Sequence, residues 1–132
     1  MQTAVELQLL AAAVLIGLVQ LLWAVVAATR QRNDLQWGVG PRDEPRPIHG
    51  VPARLERAYF NFMETFPLFA AAVLAAYLAG KLGPLTMWGS ALYVIARAVY
   101  VPLYAAGAPV VRSLVWGVSL VGVLMIVAAV FL

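Results

Sequence analysis

Apolar residues in this chain neither alternate nor fall into short amphipathic stripes; they run in long blocks separated by brief polar breaks. The first block extends from about Val5 to Thr29, and an Arg-, Pro- and Gly-rich segment follows from Arg30 to about Val51. A second block spans about Pro52 to Gly80, a third about Pro84 to Ala106, and a fourth about Pro109 to Leu132. Each matches or exceeds the roughly 20 residues that an α-helix needs to cross a bilayer core. Pro52, Pro84 and Pro109 each stand just after a Gly-containing break, which suits the first position of a helix. The pattern predicts an all-α integral membrane protein, a four-transmembrane-helix bundle forming a single domain over 1–132.

Short connections make neighbouring spans antiparallel. Arg30, Arg32, Arg42, Arg46, Arg54 and Arg57 gather at the first connection and Arg112 at the third, whereas only Lys81 marks the second. Cytoplasmic segments are enriched in Lys and Arg, so the first and third loops are expected in the cytoplasm and both termini outside. The N-terminal block lacks a basic leader and is too long for a secretory signal, so it reads as a retained span. Small residues at four-residue spacing, at Ala13 and Gly17, at Ala71, Ala75 and Ala79, and at Ser113 and Gly117, permit close helix contact.

Composition sharpens this picture. Of 132 residues 64% are apolar and 11% charged, against about 45–50% and about 25% in soluble domains. With no Cys and one His, His49, no metal or haem ligand set is available. His49, beside Gly50, reads as a turn residue, and Glu6 as an interfacial one. The basic balance, net charge +3, sits beside the apolar blocks where the positive-inside rule places it, which argues against nucleic-acid binding. Trp23, Trp37, Trp88 and Trp116 suit interface anchors.

Two polar stripes interrupt the apolar spans. Arg57, Asn61 and Glu64 fall at steps of four and three in the second span, within about 60° of arc on one helical face. Tyr93, Arg97, Tyr100 and Tyr104 do the same in the third. A charge at the bilayer centre costs about 2.5–3.5 kcal/mol on insertion scales, so Glu64 and Arg97 should face protein or a wet cleft, each the other's obvious partner. Two readings stay open on the residues alone. One is a structural ion pair with tyrosine anchors; the other is a cation-rich site for an anionic guest. Pro67 and Pro102 free the carbonyls of Met63 and Ala98 beside these stripes.

The stretch Glu56-Arg57 through Asn61, Glu64, Pro67 and Phe69 resembles the MAPEG family, the membrane-associated proteins of eicosanoid and glutathione metabolism. A second stretch, Ala96-Arg97 through Tyr100 and Tyr104 to Arg112, is similar to the family's third-span motif, and the Gly-Pro-Arg-Asp loop looks most like its bacterial branch. The resemblance implies a homotrimer in a bacterial inner membrane, with glutathione bound between subunits as co-substrate. It implies that Arg57, Asn61, Glu64, Arg97, Tyr100 and Tyr104 hold glutathione, with Arg30 near a further contributor and Arg112 near the arginine that supports the thiolate. Phe60 and Tyr59 depart from the eicosanoid enzymes, and the step from Tyr104 to Arg112 differs by one residue from the leukotriene-forming branch.

These features point to a membrane glutathione transferase or peroxidase acting on lipophilic electrophiles. The alternatives are a non-catalytic membrane subunit of a larger complex and a small proton-coupled exporter using Glu64.

Overall fold

The structure, a computed structural model, describes residues 3–132; Met1 and Gln2 of the expected domain lie outside the described residues. Four long helices and one short one succeed each other: α1 (Val5–Arg32), α2 (Leu35–Val39), α3 (Gly50–Leu78), α4 (Pro84–Ala105) and α5 (Val110–Phe131). By length and composition α1, α3 and α5 can each cross a membrane. At 22 residues α4 equals α5 in length. Its apolar run is diluted by Thr86, Ser90, Tyr93, Arg97, Tyr100 and Tyr104, and it does not qualify on composition.

The proline expectation holds in one case of three. Pro84 opens α4 behind the extended Gly83, where a missing N–H costs no hydrogen bond. Pro109 is the N-cap of α5, and Pro52 falls inside the first turn of α3 because that helix begins at Gly50. Gly80 and Gly107, with φ of 69° and 79°, reverse the chain after α3 and α4 in a left-handed conformation that side chains disfavour.

α3 and α4 form the central pair, with α1 packed on both from one side and α5 on both from the other. Phe69 stacks on Tyr93 at 4.1 Å between ring centres, and the Tyr93 hydroxyl meets that of Thr65 at 2.9 Å, locking α3 to α4. Ala13 is fully buried, and Gly17 leaves room for the Phe62 ring, whose Cε1 would stand 2.9 Å from a Cβ there. α4 and α5 come into backbone contact at Gly89 and Gly122. A Cβ on Gly89 would fall 2.6 Å from the Gly122 carbonyl oxygen, and one on Gly122 would fall 2.5 Å from that of Gly89.

Two of the small-residue stripes make no helix contact within the protomer. Ala71, Ala75 and Ala79 face out of the protomer, and the packed alanines of α3 are their neighbours Ala72 and Ala76. Ser113 is exposed, and Gly117 has open space where a Cβ would stand. Spacing by four defines a face; the tertiary fold decides whether that face looks inward.

The Arg30–Val51 connection is folded onto the end of α1. The Gln31 amide donates to the His49 carbonyl and accepts from the His49 N–H, both at 2.9 Å. Arg32 Nε donates to the Arg46 carbonyl at 2.8 Å, and Arg46 pairs with Asp34 at 3.3 Å. Trp37 donates to the Glu44 carbonyl and lies under the Arg32 guanidinium, 4.6 Å from its ring centre. His49 thus serves through its backbone, as the extended N-cap of α3 rather than as a turn residue. At the opposite end Glu6 is not a free interfacial group. It is 5% exposed and accepts a 2.6 Å hydrogen bond from the Thr86 hydroxyl, joining the start of α1 to the start of α4.

Candidate functional site

The second-span stripe forms one face of a cleft. In α3 the helical repeat brings Arg57, Asn61 and Glu64 to one side, and together with Phe60 they form one wall of a cleft of about 410 Å³. The floor is Tyr100 and Tyr104 of α4, and the far wall is Arg112, Ser113 and Trp116 of α5. Arg57 Nε donates to the Tyr104 hydroxyl at 3.2 Å. The Arg112 guanidinium lies over the Tyr104 ring, 4.4 Å from its centre, and Tyr100 meets Tyr104 edge-on at 5.6 Å. Tyr104 is therefore the hub that fixes both arginines, by a hydrogen bond on one side and a cation–π contact on the other.

A smaller recess of about 260 Å³ shares Arg57, Tyr104 and Arg112 and adds Arg54 at its rim. Arg54 is tied down through its Nε to the Ala105 carbonyl at 2.9 Å, at the end of α4. The combined site carries three guanidiniums against one carboxylate, Glu64, with an amide and two phenols between them. The Asn61 Oδ1 is buried without a hydrogen-bond partner, so an acceptor at the cleft wall is unfilled.

The expected Glu64–Arg97 ion pair does not form within the protomer. Among the described residues the ion pair is Arg46–Asp34, and Glu64 is exposed to the cleft. Arg97 is 0% exposed and stands behind the floor, its guanidinium 4.2 Å from the Tyr100 ring centre and 5.7 Å from that of Phe62. None of its nitrogens has a hydrogen-bond partner. The reason lies in helix rotation: Glu64 points along the α3 face turned toward α5, whereas Arg97 points into the α3–α4 seam. Tyr93 sits deeper still, in the core contact with Phe69.

Of the residues singled out in the sequence, Arg57, Asn61, Glu64, Tyr100, Tyr104 and Arg112 share one cleft. Arg97 supports its floor without lining it, and Arg30 stands at the end of α1, which lines no part of it. Phe60, Ser113 and Trp116 were not anticipated. Trp116 lies four residues from Arg112, one helical turn, and that spacing was the available signal.

A helical bundle of apolar, membrane-length segments, with a cation-rich cleft opened between three of them, defines an integral membrane protein with a polar cleft at one end. The MAPEG family profile matches residues 8–132, nearly the whole chain, and the protein belongs to that family. No curated protein matches the sequence individually. MAPEG membership places the chain among membrane proteins of glutathione-related function.

Proposed function

We propose that this protein binds glutathione in the cleft between α3, α4 and α5 and transfers it, or reduces peroxides with it, using lipophilic electrophiles as second substrates. The observation that carries the reading is the gathering of Arg57, Arg112, Asn61, Glu64, Tyr100 and Tyr104 around one cleft in a MAPEG chain. Glutathione carries two carboxylates, one ammonium and one thiol. Arg57 and Arg54 suit the carboxylates and Glu64 suits the ammonium, each by a charge-assisted hydrogen bond. Arg112 is left for the sulfur. A free thiol has a pKa of about 8.5 and only its thiolate attacks, so a guanidinium at the sulfur raises the reactive fraction at neutral pH. In transfer, the sulfur forms a bond to an electrophilic carbon as the leaving group departs with its electron pair. Trp116 and Phe60 offer an apolar border where such a carbon, arriving from the bilayer, meets the sulfur.

The wider reading completes the assembly. α4 is the fourth span, shielded from lipid along its polar stripe by α3 and α5. The protein is a homotrimer in a bacterial inner membrane, with both termini outside and the Arg-rich ends in the cytoplasm. The outward stripe of Ala71, Ala75 and Ala79 supports close approach of a neighbour, and a neighbour's α1 is the route by which Arg30 enters the site.

Calorimetry of the detergent-solubilised protein with glutathione tests the reading. Binding should release a proton near neutral pH, seen as heats that vary with buffer ionisation, together with a thiolate difference band in the near ultraviolet. Arg112→Ala should remove the band and largely spare affinity, whereas Arg57→Ala should weaken binding first. Absence of binding would leave the non-catalytic subunit as the better account.

A further inference from the structure

A groove on the other flank of the bundle is separate from the cleft of Arg57 and Arg112. It lies between α1 and α4 and measures about 280 Å³. Leu15, Val19 and Trp23 of α1 and Val101 of α4 make it apolar. Two features in its wall are out of keeping with that lining. Gln20 is 2% exposed, and neither its Oε1 nor its Nε2 has a hydrogen-bond partner. Pro102, lacking an N–H, leaves the Ala98 carbonyl without its helical donor, and both residues line the same groove.

Gln20 sits about 22 Å from the start of α1 and about 18 Å from its end, at 1.5 Å per residue, so bulk water does not reach it in a bilayer. A buried amide with neither end paired is costly to keep. One wall of the apolar trough therefore holds an unpaired amide, buried in the structure as it stands, and beside it a backbone acceptor. A hydroxyl is the smallest group that both donates and accepts. A ketone or quinone would take the amide N–H and leave the Ala98 carbonyl empty. An acid or phosphate would bring a charge to a groove that holds no cation.

We propose that the α1–α4 groove is an intramembrane binding site for a lipid alcohol. Its chain or ring lies along Leu15, Val19 and Val101, and its hydroxyl accepts from Gln20 Nε2 and donates to the Ala98 carbonyl oxygen. Gln20 is part of the wall, and its side-chain torsions let the amide meet a group seated there. The proposal stands on this groove alone and is independent of glutathione binding.

The test uses the full chain in detergent micelles and a long-chain alcohol carrying a diazirine beside its hydroxyl. A matched probe has a methyl group in place of the hydroxyl. After irradiation, mass spectrometry should map the alcohol's label to segments 15–23 and 98–102. Its yield should exceed that of the methyl probe by about three- to tenfold, the range for one or two hydrogen bonds within a membrane protein. Gln20→Leu should remove most of that preference, and Pro102→Ala, which restores a donor to the Ala98 carbonyl, should reduce it. Saturating glutathione should leave the labelling unchanged, which separates this site from the cleft. Equal labelling by the two probes, a preference that survives both substitutions, or label confined to α5 would overturn the proposal. A Gln20→Leu protein that changes oligomeric state while the alcohol keeps its preference would also overturn it, assigning the amide to a protein neighbour.

Discussion

Alanine at Gly122 should loosen the α4–α5 pair and, through it, the cleft. Its Cβ would stand 2.5 Å from the Gly89 carbonyl oxygen, 2.9 Å from the Tyr93 backbone nitrogen and 3.3 Å from the Leu92 Cβ. Two of these are backbone atoms, so no rotamer change relieves the clash and the helices must separate. Overpacking of this kind costs about 1–3 kcal/mol. Alanine's better helix propensity returns about 1 kcal/mol in soluble hosts, so a net loss is expected only because the obstruction is backbone. Gly117, on the same helix, has nothing within 4 Å of the position its Cβ would take. Gly117→Ala should therefore be neutral or stabilising, and it controls for propensity. Gly89→Ala meets the Gly122 carbonyl oxygen at 2.6 Å and should behave like Gly122→Ala. The double variant should lose less than the sum, because the first methyl already parts the helices for the second. Thermal unfolding in detergent, followed by circular dichroism, reads all four proteins. Because α5 carries Arg112, Ser113 and Trp116, the two clashing variants should also bind glutathione more weakly. Equal stability of Gly122→Ala and Gly117→Ala would refute the argument that backbone contact sets the α4–α5 distance.

Three further outcomes follow from the same geometry. Thr65→Val removes the partner of the buried Tyr93 hydroxyl and should cost about 1–3 kcal/mol in thermal or denaturant unfolding, whereas Thr65→Ser should retain most of it. Tyr104→Phe deletes the acceptor for Arg57 while keeping the ring under Arg112, so glutathione affinity should fall with the thiolate band preserved in the bound fraction. Single cysteines at Val39, which is 88% exposed, and at Gly83 should label oppositely with an impermeant maleimide added to intact cells, with the Gly83 probe reacting. Labelling at Val39 alone would invert the proposed topology.

Much of the candidate site is legible in the sequence alone, because helical periodicity is a local property. Steps of three and four put Arg57, Asn61 and Glu64 on one face whatever that face touches, and the same holds for Tyr100 and Tyr104. Arg112 entered through family resemblance, and the structure brings it to the same cleft. Trp116, one turn further along α5, was read as an interface anchor because tryptophan suits that place equally well.

The sequence by itself determined the long apolar helices, the positions of their breaks and the two polar stripes, because segment length and periodicity are written in consecutive residues. Only the tertiary structure decided the rotation of each helix about its axis. That rotation sends Glu64 to the cleft and Arg97 into the seam, so two charges that look like partners in the sequence do not meet. It also turns Ala71, Ala75 and Ala79 outward while bringing single glycines, Gly89 and Gly122, into backbone contact. A stripe in one helix specifies an angle only relative to itself. The angle between two helices depends on how the side chains of both interlock along the whole seam, and no local pattern carries that information.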